Sequence, residues 1–137
     1  MTENPLSGVR LLLVVEDEAD MRLLIKASLR REPRLKVICE AVSADQALEM
    51  AKANQPDLIV LDHSIEGDVM GLEVAPELRQ VAPHAKILLF TAFNMSQQAR
   101  ARPEVDAFLS KSDLPRLLPT IQALLGLEPA APVHVGV

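Results

Sequence analysis

Five residues in this chain could do chemistry together. Glu16 and Asp17 follow directly on the apolar run 11–15, Asp62 follows the run 58–61, and Thr91 follows 86–90. Lys111 comes two residues after the short run 107–109. Each polar group therefore sits just past the carboxyl end of a short apolar segment. If those segments are parallel strands of one sheet, three carboxylates, a hydroxyl and an ammonium converge at one edge. Ligands bind at that edge in open α/β sheets, near the point where the strand order reverses. Three close carboxylates repel one another, which protonation or a divalent cation among them would relieve. Mg²⁺ suits such a place, because it takes hard oxygen ligands, commonly one or two carboxylates plus water and phosphate oxygens. Lys111 would balance remaining charge, and the Thr91 hydroxyl could donate to an incoming phosphoryl oxygen. Each residue also has a plainer reading. Acids at 16–18 suit the first turn of a helix. Asp62 could cap a turn, Thr91 could simply end a strand, and Lys111 could be a solvated lysine. The coincidence of all five favours the chemical reading.

The elements that must position them follow from the hydrophobic pattern. Runs at 11–15, 35–41, 58–61, 86–90 and 107–109 read as strands, and the continuous runs suit strands covered on both faces. Helical stripes alternate with them. The first, 19–31, has Met21, Leu24, Ile25 and Leu29 as its apolar face and Pro33 beyond it. The second carries Ala44, Ala47, Leu48 and Ala51. Its Ser43 and Gln46 have capping-box spacing, and Asn54, Gln55 and Pro56 stop it. A third spans 72–81, and a weak fourth, 94–102, is cut short by Pro103. Asp113 is expected to cap a last helix bearing Leu117, Leu118, Ile121, Leu124 and Leu125. Pro115 fits its first turn, and Pro119 should kink it or delay its regular start. Five strands alternating with five helices imply an α/β fold, a parallel sheet with helices on both faces.

The 137 residues leave room for one domain. With 49% hydrophobic residues but only 2% aromatic, the core must be built from Leu, Val, Ile, Ala and Met. A net charge of −5 argues against a nucleic-acid or anionic-membrane surface. The single Cys39 can form no internal disulfide and reads as a buried, inert thiol. No segment approaches the roughly 18 apolar residues of a membrane span, and no signal peptide is legible. A cytoplasmic protein is the default expectation.

The segments LLLVVEDEADMR, PDLIVLDHSIEG, ILLFTAF and DAFLSKSD carry a family likeness. Over about residues 9–125 the chain resembles the receiver domains of two-component response regulators. The resemblance implies a flavodoxin-like (βα)5 doubly wound sheet over 9–126, with a flexible start at 1–8 and a disordered tail at 127–137. It implies that Asp62 is the phosphoacceptor, and that Glu16, Asp17, Asp62 and the backbone carbonyl of Ser64 hold Mg²⁺, with Mn²⁺ as a substitute. Thr91 and Lys111 correspond to the residues that meet the phosphoryl group, and Phe108 to the switch aromatic. Ser64 and Phe93 correspond to variable positions that tune dephosphorylation.

The chain departs from the family in three places. Glu66 stands where a proline usually lies four residues after the phosphoacceptor. Gly71 comes nine residues after Asp62, where eight is usual, so the loop looks one residue longer and less rigid. Ser112, not proline, follows Lys111, and no cis bond is expected there.

The function so implied is a signalling domain, not an enzyme. It would take a phosphoryl group from a histidine kinase or a histidine phosphotransfer protein. It would signal by a switch of the face formed by helix 4, strand 5 and helix 5, and a homodimer on phosphorylation is compatible with that. The downstream protein is unspecified. No segment after Leu125 reads as a DNA-binding effector, so output is by protein contact or the chain is cut from a longer regulator. Arg22, Lys26 and Arg30 form a basic stripe on helix 1, either solvated or a kinase-docking surface. Three other readings stay open. A degenerate receiver would act as an unphosphorylated scaffold. A metal-dependent phosphohydrolase would need a second acid, for which His63 is the stand-in. A nucleotide or flavin module would want a Gly- or Ser-rich cradle after strand 1, which the acids at 16–18 do not offer.

Overall fold

The computed structural model describes residues 8–128. The expected loose ends lie outside the described residues, apart from Gly8, Leu127 and Glu128. The chain runs β1 (Arg10–Val15), α1 (Ala19–Ser28), β2 (Leu35–Ala41), α2 (Ala44–Asn54), β3 (Leu58–Leu61) and α3 (Gly71–Val81). It continues through β4 (Lys86–Thr91), α4 (Ser96–Arg100), β5 (Ala107–Ser110), a 3₁₀ segment (Lys111–Arg116) and α5 (Leu117–Leu124). The five strands form one parallel sheet in the order β2-β1-β3-β4-β5. The order reverses between β1 and β3, which makes the carboxyl ends of those strands the switch point.

The uninterrupted apolar strands are explained by burial on both faces. Leu13, Val15, Ile59, Leu61, Ile87 and Leu89 face a core closed by α2, α3 and α4 through Ala47, Ala51, Val74, Leu78 and Ala99. Their neighbours Leu12, Val14, Leu58, Val60, Leu88 and Phe90 face the opposite core, closed by Ile25 and Leu29 from the α1 side and Leu117 and Ile121 of α5. Alternation along a strand sends successive side chains to opposite faces, so a doubly covered strand needs no polar residue.

Several boundaries differ from expectation. Helix α1 ends at Ser28. Leu24, expected on its apolar face, is 47% exposed, because the helix turns Met21, Ile25 and Leu29 toward the core and leaves Leu24 on the outer side. Asp113 does not cap the last helix. Ser110 accepts from the Ser112 N–H at the head of the 3₁₀ segment, and Asp113 lies inside it with non-helical angles. The regular start of α5 is delayed to Leu117, behind the 3₁₀ segment, which leaves Pro119 in the first turn, where the N–H groups have no intrahelical acceptor. The capping box of α2 is displaced by one residue. Ser43 accepts from the Gln46 N–H, but the Gln46 side chain reaches back to the N–H of Val42.

A buried acid ties the far end of the molecule together. Glu32, 5% exposed, receives two guanidinium hydrogen bonds from Arg34, at 2.8 and 2.6 Å, and one from the Gln122 amide of α5 at 2.9 Å. Arg34 also donates to the Glu128 carbonyl at 2.6 Å. The Arg34 hydrogen bonds above all, working against burial and helped by Gln122, pull the Glu32 carboxyl down to about 2. Glu32→Ala should cost roughly 1–3 kcal/mol at neutral pH, because it strands the buried Gln122 amide and the guanidinium. A depressed pKa gives stability that is complete above the unfolded value of 4.5 and lost as pH falls toward 2. The gap between wild type and mutant in urea unfolding should therefore narrow below about pH 4.

Candidate functional site

Pairing of Val15 with Leu61 across β1 and β3 sets Glu16 and Asp62 side by side at the switch point. The backbone fixes both, since the Asp62 N–H donates to the Val15 carbonyl at 3.0 Å and the Glu16 N–H donates to the Ala41 carbonyl at 2.9 Å. Both carboxylates are buried, at 1% and 3% exposure. Lys111, just past β5, reaches between them. Its Nζ donates to Asp62 Oδ2 at 2.8 Å and lies 2.6 Å from Glu16 Oε1, an ion pair by distance without hydrogen-bond alignment. Asp17 completes the acidic group: one carboxylate oxygen from each of Glu16, Asp17 and Asp62 lies within 4.8 Å of the others.

The charges shape one another. Burial pushes the Glu16 carboxyl up to about 7, more than the Lys111 contact and the Glu18 N–H pull it back, and the Asp62 charge adds to the rise. Burial works against the Lys111 charge, but its bonds to Asp62 and Glu16 outweigh that and hold its pKa above the ordinary range. Without a divalent cation, folded Glu16 keeps a proton that the unfolded chain loses at 4.5. Stability from this group is therefore present below pH 4.5 and lost as pH rises to about 7. In EDTA, Glu16→Gln should flatten that part of the stability profile, a difference of at most about 3 kcal/mol by urea unfolding at pH 7.5.

A cleft of about 170 Å³ opens over these groups, lined among others by Asp17, Asp62, Ser64, Thr91, Phe93 and Lys111. Thr91 is fully buried, and its hydroxyl has no hydrogen-bond partner among the described residues. A buried hydroxyl with no partner beside a cleft is suited to an acceptor on a ligand. The Ser64 N–H donates to Asp62 Oδ1 at 3.4 Å, and Phe93 stands 57% exposed at the rim. Phe108 lies elsewhere. It lines a separate cavity of about 270 Å³ between α4 and β5. The β4–β5 register pairs Leu89 with Phe108 and Thr91 with Ser110, so Thr91 and Phe108 share one face of the sheet.

The donor set fits a small, hard cation. Mg²⁺ takes hard oxygen ligands, commonly one or two carboxylates with water and phosphate oxygens, and three carboxylates within reach of one another supply such donors. Nitrogen and sulfur ligands are absent from the group.

The loop after Asp62 is tied down midway. Glu66 forms an isolated parallel bridge with Ser43, its N–H donates to the Val42 carbonyl at 2.9 Å, and Ile65 is buried. His63 Nδ1 accepts the Leu72 N–H at 3.3 Å, at the head of α3. That nitrogen is engaged in the helix start, which weakens the stand-in acid that a phosphohydrolase would require. Three contributors could not be singled out beforehand: the Glu18 N–H on Glu16, the Arg22 guanidinium on the Glu16 carbonyl, and the close seat of Gly71. None has a signature in residue type; each depends on how the loops return. Of the basic stripe, Arg22 and Lys26 are both paired with Glu40 of β2, at 3.3 and 3.1 Å, while Arg30 is exposed.

Known proteins give the same picture. A family model described as the response regulator receiver domain matches residues 12–122. The nitrate/nitrite response regulator NarL of Escherichia coli is 31% identical over 83 residues, which is 61% of this chain and 38% of NarL. The chain thus spans well under half the length of that relative. The chemotaxis protein CheY of Bacillus subtilis is 31% identical over 96 residues, 70% of this chain and 77% of CheY. The response regulator TrrA of Thermotoga maritima, solved in complex with Mg²⁺-BeF, superposes with a TM-score of 0.75 at 31% identity, covering 85% of this chain and all of TrrA. No helix among the described residues is long and apolar enough to cross a membrane. With the flavodoxin-like sheet, the acidic group at its switch point and a family match over most of its length, this chain belongs to the response regulator receiver domains.

Proposed function

We propose that the domain accepts a phosphoryl group on Asp62 from the phosphohistidine of a kinase or phosphotransfer protein, with Mg²⁺ held by Glu16, Asp17, Asp62 and the Ser64 carbonyl. The observation that carries this reading is the contact of Lys111 with both Glu16 and Asp62 under a cleft that also holds the unpartnered Thr91 hydroxyl. A carboxylate oxygen of Asp62 attacks phosphorus in line. The new P–O bond forms as the donor's P–N bond breaks, and the leaving imidazole takes up a proton. When bound, Mg²⁺ neutralises charge on the phosphoryl oxygens, where catalysis of such transfers chiefly lies. Lys111 gives up part of its contact with Asp62 and pairs with a phosphoryl oxygen. Thr91 donates its free hydroxyl to another.

Readout follows from the sheet. Thr91 moving toward the phosphoryl group vacates space on the face it shares with Phe108, and the aromatic shifts from the cavity beside α4. This is a population shift between two packings. The function is signalling, and the only chemistry asked of the chain is its own phosphorylation and dephosphorylation. Uptake of one phosphoryl group from acetyl phosphate, seen by intact mass and abolished by EDTA, tests the proposal. Retained Mg²⁺ binding without any uptake from acetyl phosphate or a histidine donor would leave the scaffold reading.

Phe93 at the cleft rim should slow hydrolysis by obstructing the attacking water. Phe93→Ala is expected to shorten the phosphoryl lifetime by about three- to tenfold, the size of a modest barrier change of roughly 1 kcal/mol. Loss of phosphate from the purified phosphoprotein, followed by mass, measures it; an unchanged lifetime assigns Phe93 no part.

A further inference from the structure

Helix α1 starts two residues past Asp17, and its Arg22 turns back toward the acidic pair. Arg22 Nη1 donates to the Glu16 carbonyl at 2.9 Å, and Arg22 Nε lies 3.3 Å from Glu40 Oε1. Glu40 is the penultimate residue of β2, paired with Val14 in the register, and its other oxygen accepts Lys26 Nζ at 3.1 Å. The residue after it, Ala41, accepts the Glu16 N–H at 2.9 Å. Two adjoining residues of β2 therefore hold the Glu16 backbone at both ends. Ala41 holds the N–H directly, and Glu40 holds the carbonyl through Arg22.

The carbonyl that Arg22 holds belongs to the planar peptide joining Glu16 to Asp17. A bond to that oxygen fixes the plane, and with it the direction in which the chain leaves toward Asp17. Among the described residues Asp17 forms no ion pair, so its carboxylate depends on the backbone for its place. The Glu18 N–H donates to Glu16 Oε2 at 3.0 Å across the same turn, which ties the Glu16 side chain to that peptide. A guanidinium meets two acceptors through separate nitrogens of one rigid plane, which an ammonium does not do. Left unpaired, a cation so near three carboxylates would oppose the binding of another cation. Glu40 offsets that charge and at the same time braces the fork.

We propose that Arg22, braced by Glu40, is a positioning residue for the Mg²⁺ centre: it fixes the peptide between Glu16 and Asp17 and so sets where both carboxylates stand. The inference rests on the metal-binding reading of the acidic group. Groups that orient metal ligands from behind commonly change metal affinity by about 10- to 100-fold when removed. The sign of the effect separates positioning from plain electrostatics. Loss of a nearby cation tightens a divalent ion, whereas loss of a positioning bond weakens it. Lys26 is the internal control, since it pairs with the same Glu40 but makes no contact with Glu16.

Titration of the full chain with Mn²⁺, followed by the electron paramagnetic resonance signal of the free ion, tests this. Arg22→Gln should weaken binding about tenfold, and Lys26→Gln should leave it within about twofold. Arg22→Lys keeps the charge but not the fork, and should weaken binding about threefold. Glu40→Gln should cost about threefold alone and add nothing to Arg22→Gln, because Glu40 acts through Arg22. Metal-free protein gives a second readout. In EDTA, hydrogen exchange of the Glu18 amide should quicken about fivefold in Arg22→Gln and stay unchanged in Lys26→Gln. Circular dichroism shows whether each variant is folded; if Arg22→Gln is not, Arg22→Lys decides. A wild type that binds no Mn²⁺ overturns the metal reading and this proposal together. A wild type that binds, with Arg22→Gln or its lysine stand-in binding equally or more tightly, overturns this proposal alone. Equal weakening by Lys26→Gln shows a general loosening of α1 and overturns it as well.

Discussion

Asp62→Asn is expected to take up no phosphoryl group from acetyl phosphate under conditions in which the unaltered protein gains one per chain. The substitution is nearly isosteric, so the loss would be chemical. The amide oxygen can still accept from Lys111 Nζ, now 2.8 Å from Asp62 Oδ2, while the amide nitrogen takes the Oδ1 position and the 3.4 Å contact with the Ser64 N–H is lost. The Asp62 N–H still donates to Val15. What disappears is the carboxylate that attacks phosphorus, together with one negative charge of the acidic group. The second loss should weaken Mg²⁺ binding, because hard cations favour charged oxygen donors. The two effects separate by experiment. Mass spectrometry before and after acetyl phosphate reports the nucleophile, and a Mg²⁺ titration reports the metal site. Full labelling of Asp62→Asn would place the phosphoacceptor on another residue and sink the assignment. A weak metal site with no labelling, even at saturating Mg²⁺, supports both roles at once.

Much of the fold is legible in the sequence because the sheet is covered on both sides. Double coverage makes β1, β3 and β4 unbroken apolar runs, and a chain that leaves such a run at the switch point puts its first polar residue into the cleft. Glu16, Asp62 and Thr91 can thus be named from position alone. Their mutual contacts cannot. The Lys111–Glu16 ion pair depends on the register of Val15 against Leu61 and on how β5 ends, neither of which is encoded locally. Leu24 departs from expectation for a related reason. Helical period marks an apolar arc, but which edge of that arc is covered depends on where α5 packs, and here α5 covers Ile25 and Leu29. The start of α5 differs because Ser110 caps a 3₁₀ segment that precedes it, and Asp113 falls inside that segment with non-helical angles. The loop after Asp62 reads as loose in the sequence because its restraint is a backbone bridge from Glu66 to Ser43, which any residue but proline can make.

Gly71→Ala should damage the domain more than alanine at any other glycine among the described residues. A Cβ built on Gly71 would lie 1.9 Å from the carbonyl oxygen of Asp62 and 2.8 Å from its carbonyl carbon. Those are backbone atoms, so no side chain can rotate away to make room. The Gly71 N–H also donates to the His63 carbonyl at 2.8 Å, which holds the head of α3 against the segment that carries Asp62. Either α3 must withdraw or the Asp62 backbone must move. Withdrawal breaks the Gly71–His63 and Leu72–His63 bonds and loosens Leu72, Val74 and Ala75 from the core; movement takes the Asp62 carboxylate off Lys111. Overpacking with rigid backbone on the other side costs upward of about 3 kcal/mol, beyond the usual range for a tolerated insertion. Gly67 provides the control. It has φ +95, and a methyl added there would meet nothing within 4 Å. Gly67→Ala therefore costs only the strain of its backbone, about 1–2 kcal/mol, and leaves the site alone. Urea unfolding and acetyl phosphate labelling of both variants decide the matter. Gly71→Ala should lose stability and labelling together, whereas Gly67→Ala should lose some stability and label fully. A stable, fully labelled Gly71→Ala would mean that α3 can shift without disturbing Asp62, and that the close packing of the helix on the segment carrying Asp62 is dispensable.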